Sequence, residues 1–137
     1  MRFAHGRWVL VGRFVSMSVL VVALFAFGAT IAYAATGSFN ITVPAFGSQT
    51  GNQCRTTTSG NGGRIETKYS AAPDDSQIKA IRCADGTDIG GYRFVSAGDL
   101  SRVTLNQGVA VGTRFKLNID TPGFTGHNDT FTGKVFF

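Results

Sequence analysis

The residues with the clearest chemical potential are His127 and Asp129 near the C-terminus, where His127 is the only histidine after residue 5. A histidine beside a carboxylate can serve as a general base or as a metal ligand. A base also needs a nucleophile or substrate proton within hydrogen-bond reach, and the neighbours Gly126 and Asn128 supply none, because they are turn formers. We therefore predict a turn here. A small secreted hydrolase that uses His127 with a distant Asp and a distant Ser or Thr is the alternative.

Two pairs of aspartates suggest a calcium site as a second possibility. Asp85 and Asp88 flank a Gly-Thr dipeptide, and Asp74 and Asp75 are further candidate ligands. Calcium requires six to eight oxygen ligands, and this stretch lacks the alternating acids and closing glutamate of an EF-hand loop. The Asp-Gly dipeptide is typical of turns. We predict a turn and assign no metal site.

The single glutamate, Glu66, could act as a general acid. Glycoside hydrolysis requires two carboxyl groups that face each other across a cleft. Glu66 instead lies in an alternating segment between Arg64 and Lys68, which favours a solvated cross-strand ion pair. We assign no catalytic residue and no cofactor, and we predict that the protein is not an enzyme.

Four aromatic residues could form a binding platform: Phe46, Tyr69, Tyr92 and Phe124. Exposed loop aromatics indicate a binding surface, whereas buried ones would close the ends of the fold. The only tryptophan, Trp8, precedes the globular part, which weakens a sugar-stacking role.

The N-terminus has the features of an export signal. Residues 1–13 are basic, residues 14–31 carry no charge, and the small-residue site Ala32-Tyr33-Ala34 follows. This order predicts a cleaved secretory signal peptide at residues 1–34. An uncleaved anchor is the alternative, because 18 apolar residues can just span a bilayer.

The exported part, residues 35–137, has the length of one domain. It contains ten basic and eight acidic residues, a formal net charge of +2, so the value of +5 for the whole chain overstates its basicity. The basic residues are scattered and form no run, which excludes a typical nucleic-acid-binding surface. Cys54 and Cys83 are its only cysteines, and in an exported domain of this size they are expected to form a disulfide.

The exported residues form short apolar–polar alternations between Gly-rich turns. This pattern predicts an all-β fold, a small antiparallel β-sandwich or flattened barrel of about seven to nine strands, preceded by an N-terminal signal helix. Residues 103–105 and 109–111 are predicted to form a hairpin around residues 106–108. We predict that the disulfide ties the second and fourth strands, and a bridge across the two sheets is one such arrangement. The predicted inward-facing sets are Phe39, Ile41 and Val43; Ile65, Thr67 and Tyr69; Phe115, Leu117 and Ile119; and Phe131, Val135 and Phe137.

Asn40 and Asn128 each begin a glycosylation triplet, and Asn128, in its predicted turn, is the better acceptor. These features together predict a secreted, disulfide-stabilised β-sandwich that acts by binding and not by catalysis. Its partner would be an extracellular protein or a component of the cell envelope, as for an inhibitor or an antagonistic toxin. A membrane-tethered envelope protein is the further alternative, with membrane contact only through the leader.

Overall fold

A computed structural model describes residues 34–45, 47–123 and 126–137, which belong to one compact unit, Ala32–Phe137. The described residues form an all-β structure of two antiparallel sheets. The predicted signal helix lies outside them. No helix within the described ranges is long and apolar enough to cross a membrane.

Nine strands make up the two sheets in the described part of the chain. Sheet A has the strand order β1-β9-β4-β7, and sheet B has the order β2-β8-β5-β6, with β3 also paired to β8. In chain order the strands are β1 (Thr36–Val43), β2 (Ser48–Thr50), β3 (Arg55–Thr56), β4 (Ile65–Ala71), β5 (Ser76–Arg82), β6 (Arg93–Val95), β7 (Arg102–Asn106), β8 (Arg114–Asp120) and β9 (Asp129–Phe136).

A single hydrophobic core combines side chains from both sheets. Successive side chains of a strand point to opposite faces, so the alternating sequence gives each sheet one apolar face. Burial of each large apolar side chain contributes about 1.5–3 kcal/mol. The predicted inward-facing sets are confirmed, with Phe137 only partly buried against the core. The largest fully buried side chains include Tyr69, Phe115, Phe131, Ile65, Ile78, Leu105, Leu117 and Ile119.

Gly133 allows β1, β9 and β4 of sheet A to pack closely. It pairs with Phe39 on β1 and with Tyr69 on β4. A Cβ atom added at Gly133 would lie 2.7 Å from the Cζ of Phe39 and would clash with the backbone oxygen of Lys68. The Phe39 ring therefore occupies the space that a side chain at residue 133 would need.

We expect Gly133→Ala to destabilise the fold by about 1–3 kcal/mol, because overpacking forces backbone and side-chain shifts. Chemical denaturation would measure this loss. Gly91→Ala is the matched control, because a Cβ there meets no atom within 4 Å. Its stability should stay within about 0.5 kcal/mol of the natural protein. Equal stability of the two variants would contradict the close packing of β1, β9 and β4.

The connections β1–β2, β4–β5, β6–β7 and β8–β9 lie at one end of the two sheets, as the strand registers require. We call this the loop end. The opposite end carries the cysteines, and we call it the disulfide end.

The predicted disulfide between Cys54 and Cys83 is present. Cys54 directly precedes β3, and Cys83 directly follows β5. Both strands belong to sheet B, where they pair with opposite edges of β8 through Phe115. The bridge therefore joins two strands of one sheet, and the suggestion that it crosses between the sheets was wrong.

The predicted hairpin around residues 106–108 was only half right. Its first arm is part of β7, but residues 109–111 form no strand. The backbone N–H of Val109 donates to the oxygen of Gly63 at 2.7 Å, and that of Gly112 donates to Thr57 at 2.9 Å. These hydrogen bonds attach residues 109–112 to the β3–β4 connection, so residues 109–111 do not pair with β7 as the second arm of a hairpin.

Candidate functional site

The outer face of sheet B carries two exposed aromatic side chains. Phe94 on β6 is 57% exposed, and Tyr92, just before β6, is 38% exposed. They lie beside the polar side chains of Gln77, Lys79 and Asn118 on β5 and β8. We call these five residues the aromatic surface.

The strand register places Gln77 and Phe94 of this surface side by side. Gln77 on β5 pairs with Phe94 on β6 and with Asp120 on β8. Residues directly opposite each other in an antiparallel ladder project from the same face. The Phe94 ring therefore lies beside the amide of Gln77, and Asp120 lies one strand further from the ring; all three side chains are at least partly exposed.

A chain of hydrogen bonds holds Tyr92 in position. The hydroxyl of Tyr92 donates to Oδ1 of Asn118 at 2.8 Å, and Nδ2 of Asn118 donates to Oγ1 of Thr50 at 3.0 Å. Asn118 is only 7% exposed and both ends of its amide are satisfied. These contacts hold the tyrosine ring over the sheet, so little conformational entropy would be lost when a ligand stacks on it.

Lys79 completes the surface from β5. Its ammonium nitrogen lies 4.3 Å from the centroid of the Tyr92 ring and 2.8 Å from Oδ1 of Asp88. The hydrogen bond to Asp88 raises the pKa of Lys79 above its usual value, and the negative charge of Asp88 acts in the same direction. The lysine therefore stays charged and supports the ring by a cation–π contact.

The predicted aromatic platform is assembled only in part. Tyr92 lies on the aromatic surface, whereas Phe46 and Phe124 lie outside the described residues. Phe94 was not singled out from the sequence, although it alternates with Tyr92 in the segment YRFVS. That alternation was the available signal, because both rings can then line one side of a strand.

Tyr69 does not belong to any surface platform. It is 1% exposed, and its ring centroid lies 5.5 Å from that of Phe39 and 5.8 Å from that of Phe131. Burial raises the pKa of Tyr69 to about 12, against the opposite influence of its hydrogen bond to Ser76. Its position on the same face as Ile65 explains the burial, because that face of β4 lines the core.

His127 and Asp129 form an ion-pair geometry at the loop end. Nε2 of His127 is 2.9 Å from Oδ1 of Asp129, and the side chains are 65% and 2% exposed. Asp129 is the first residue of β9, so a turn does launch the last strand as predicted. The burial of Asp129 was not anticipated. The hydrolase alternative, which requires a distant Asp, stays a prediction.

The calcium set considered from the sequence does not assemble. Asp74 and Asp75 lie in the β4–β5 connection at the loop end, whereas Asp85 and Asp88 follow β5 at the disulfide end. Oδ1 of Asp85 accepts hydrogen bonds from the backbone and hydroxyl of Thr87, and these bonds lower the pKa of Asp85. The Asp85 carboxylate thus stabilises the predicted turn.

Glu66 forms a cross-strand ion pair, as expected. Its carboxylate lies 3.3 Å from Nη1 of Arg102 and accepts a hydrogen bond from Thr104, and both partners lie on β7. The predicted cross-strand ion pair is present, but Arg64 and Lys68 do not form it. Glu66 is 8% exposed, so the expectation of a solvated glutamate was also wrong.

Both glycosylation triplets begin with exposed asparagines. Asn40 lies within β1, whereas Asn128 lies in the turn before β9. Oδ1 of Asn128 accepts a hydrogen bond from the backbone of Ala45 at 3.1 Å. The amide of Asn128 therefore helps to join the β1–β2 and β8–β9 connections.

No protein-family model, curated protein or solved structure matches this chain. The functional proposal below therefore depends on the residues and geometry of the chain itself.

Proposed function

We propose that this chain is a secreted, non-catalytic binding protein that recognises a polysaccharide of the cell envelope through its aromatic surface. The observation that supports this most strongly is the exposure of Phe94 and Tyr92 side by side on one sheet face. Exposed aromatic side chains at fixed positions are a common feature of binding surfaces.

The composition of the surface favours a sugar over a protein partner. Stable protein interfaces bury about 800 Å² on each partner around an apolar centre. Here two rings lie beside the amide of Gln77 and the ammonium group of Lys79. Ring faces suit the apolar C–H side of a sugar, and the polar groups suit its hydroxyls.

Export is the second part of the proposal. The basic, apolar and small-residue segments of the leader support it, and the disulfide is compatible with an oxidising compartment. An envelope polysaccharide is a partner that a secreted protein of this kind meets outside the cell. The tethered alternative differs only in whether residues 1–34 are retained.

Co-sedimentation tests the proposed binding. Protein produced from the full chain, with its leader, is mixed with purified peptidoglycan, chitin or cellulose, and the bound fraction is measured. We expect binding to at least one of these polymers and a loss of about tenfold in Phe94→Ala, because the stacking surface is removed.

Val111→Ala is the matched control for this experiment. Val111 is 64% exposed and lies at the disulfide end, away from the aromatic surface. It should bind like the natural protein. Equal losses in the two variants, or no binding to any of the three polymers, would contradict the proposed role of the aromatic surface.

A further inference from the structure

Three potential metal ligands from two connections converge at the loop end. One ligand atom from each of Asp74, His127 and Asp129 lies within 4.8 Å of the others. Asp74 belongs to the turn between β4 and β5, and the other two lie at the start of β9. These residues are 53 positions or more apart from Asp74 in the chain, so the fold itself brings them together.

Asp129 has an unusual environment for a carboxylate. It is 2% exposed, and its Oδ2 atom is buried without a hydrogen-bond partner, while Oδ1 contacts His127. A buried carboxylate in such a position is unfavourable unless a cation or hydrogen-bond donors compensate it. The unsatisfied oxygen belongs to the same carboxylate that contributes to the cluster. A bound cation would satisfy it.

The charges around the cluster also favour a cation. The four connections of the loop end contain no Lys or Arg, so no basic side chain from them competes for the carboxylates. Two nearby aspartates already serve the backbone: Asp75 accepts from the N–H of Ala97, and Asp99 accepts from that of Ser101. Asp74 also accepts a backbone hydrogen bond, from the N–H of Asp75 to its Oδ1 at 2.8 Å, but a carboxylate has further lone pairs for a cation.

We propose that Asp74, His127 and Asp129 form a binding site for a divalent transition-metal ion, with Zn²⁺ as the best match. One imidazole nitrogen and two carboxylate oxygens are ligands that zinc accepts at about 2.0–2.2 Å. Calcium prefers six to eight oxygens and is poorly served by a histidine. Three protein ligands leave a fourth position of a tetrahedral site for water.

Such an ion would connect the two sheets at the loop end. Asp74 lies in the connection that leads from sheet A to sheet B, and Asp129 lies on β9 of sheet A. Ligation would hold the His127 ring in place and fix the start of β9 against the β4–β5 turn. This inference is independent of the proposed polysaccharide binding, because the aromatic surface shares no residue with the cluster.

Zinc titration tests the site directly. Protein expressed from the full chain is stripped of metal and titrated with Zn²⁺ in competition with a chromogenic zinc chelator. We expect one zinc ion per chain, and an affinity at least about tenfold lower in Asp74→Asn and in His127→Ala. Zinc should also raise the unfolding midpoint of the natural protein but not that of either variant.

Asp120→Asn is the matched control. Asp120 is the last residue of β8 and lies at the same end of the molecule, and its substitution removes the same charge. Its zinc affinity should equal that of the natural protein. X-ray absorption of the zinc-loaded protein should show nitrogen and oxygen neighbours with a histidine signature and no sulfur.

Four results would overturn the proposal. The first is a natural protein that binds zinc only above about 100 µM, and the second is an Asp120→Asn variant that loses as much zinc affinity as Asp74→Asn. The third is sulfur in the first coordination shell, and the fourth is tighter binding of Ca²⁺ than of Zn²⁺. Because Asp74 and His127 are not buried, their variants should fold, and this can be verified by circular dichroism before titration.

Discussion

Deletion of the last three residues, Val135 to Phe137, should destabilise the domain by about 5 kcal/mol or prevent its folding. Val135 is 0% exposed and pairs with Gly37 on β1 and Thr67 on β4. Its burial alone contributes about 1.5–3 kcal/mol. The deletion therefore removes a core side chain and the end of the central strand of sheet A together.

Phe137 adds further contacts that the deletion would remove. Its backbone exchanges hydrogen bonds of 2.8 and 2.9 Å with Ala35, and its oxygen accepts from the hydroxyl of Thr58 at 2.8 Å. Its ring packs edge-on against Phe115 at 5.5 Å between centroids. Each such bond or ring pair contributes about 1 kcal/mol, so the C-terminus is pinned and not frayed.

Yield of secreted protein and the midpoint of urea unfolding would measure the effect of the deletion. Phe136→Ala is the control, because this side chain lies on the outer face and stacks under Arg102 at 3.7 Å from its ring centroid. It should cost about 1 kcal/mol or less. A truncated protein with the natural midpoint would show that β9 does not depend on its last residues.

The strand content of the fold was predictable because alternation is a local property of the sequence. The sets ending in Ile119 and Val135 repeat with period two, and only one face of each strand could be apolar. Pairing order is not local. Nothing in the sequence places β9 between β1 and β4, or places Cys54 and Cys83 on two sides of β8.

Two predictions for Tyr69 conflicted. The alternation of residues 65–69 placed Tyr69 on the inward face with Ile65 and Thr67, whereas a surface platform required it to be exposed. The alternation was correct. Phe94 was the opposite case. It shares the alternation of Tyr92, but exposure became apparent only once β6 was seen at the edge of sheet B.

The proximity of Asp74, His127 and Asp129 could not be predicted for a different reason. The turn formers around His127 predict exposure, and Asp129 looks like another turn residue until β9 is seen to begin with it. The proximity of Asp74 depends on how two connections meet after both sheets have formed. A single sequence contains no signal for such a long-range contact.

Replacement of both cysteines, Cys54→Ser with Cys83→Ser, should cost about 3.5 kcal/mol, because the bridge closes a loop of about 30 residues in the unfolded chain. The bridge joins the polypeptide at the two sides of β8. β3 contains only the two residues Arg55–Thr56, so it has little pairing of its own to keep it in place. The segment before β3 should therefore loosen first.

Urea unfolding of the double variant would measure the loss, and reduction of the natural protein with dithiothreitol should shift the midpoint equally. Hydrogen exchange should become faster at Thr57, whose backbone N–H bonds the oxygen of Thr113 at 3.0 Å next to β3. Exchange at Val135, in the centre of sheet A, should change only as far as the global stability changes.

Two reactive thiols in the unreduced secreted protein would contradict the bridge. A uniform increase at both positions would show that the disulfide acts on the unfolded state alone, without a separate role in holding β3.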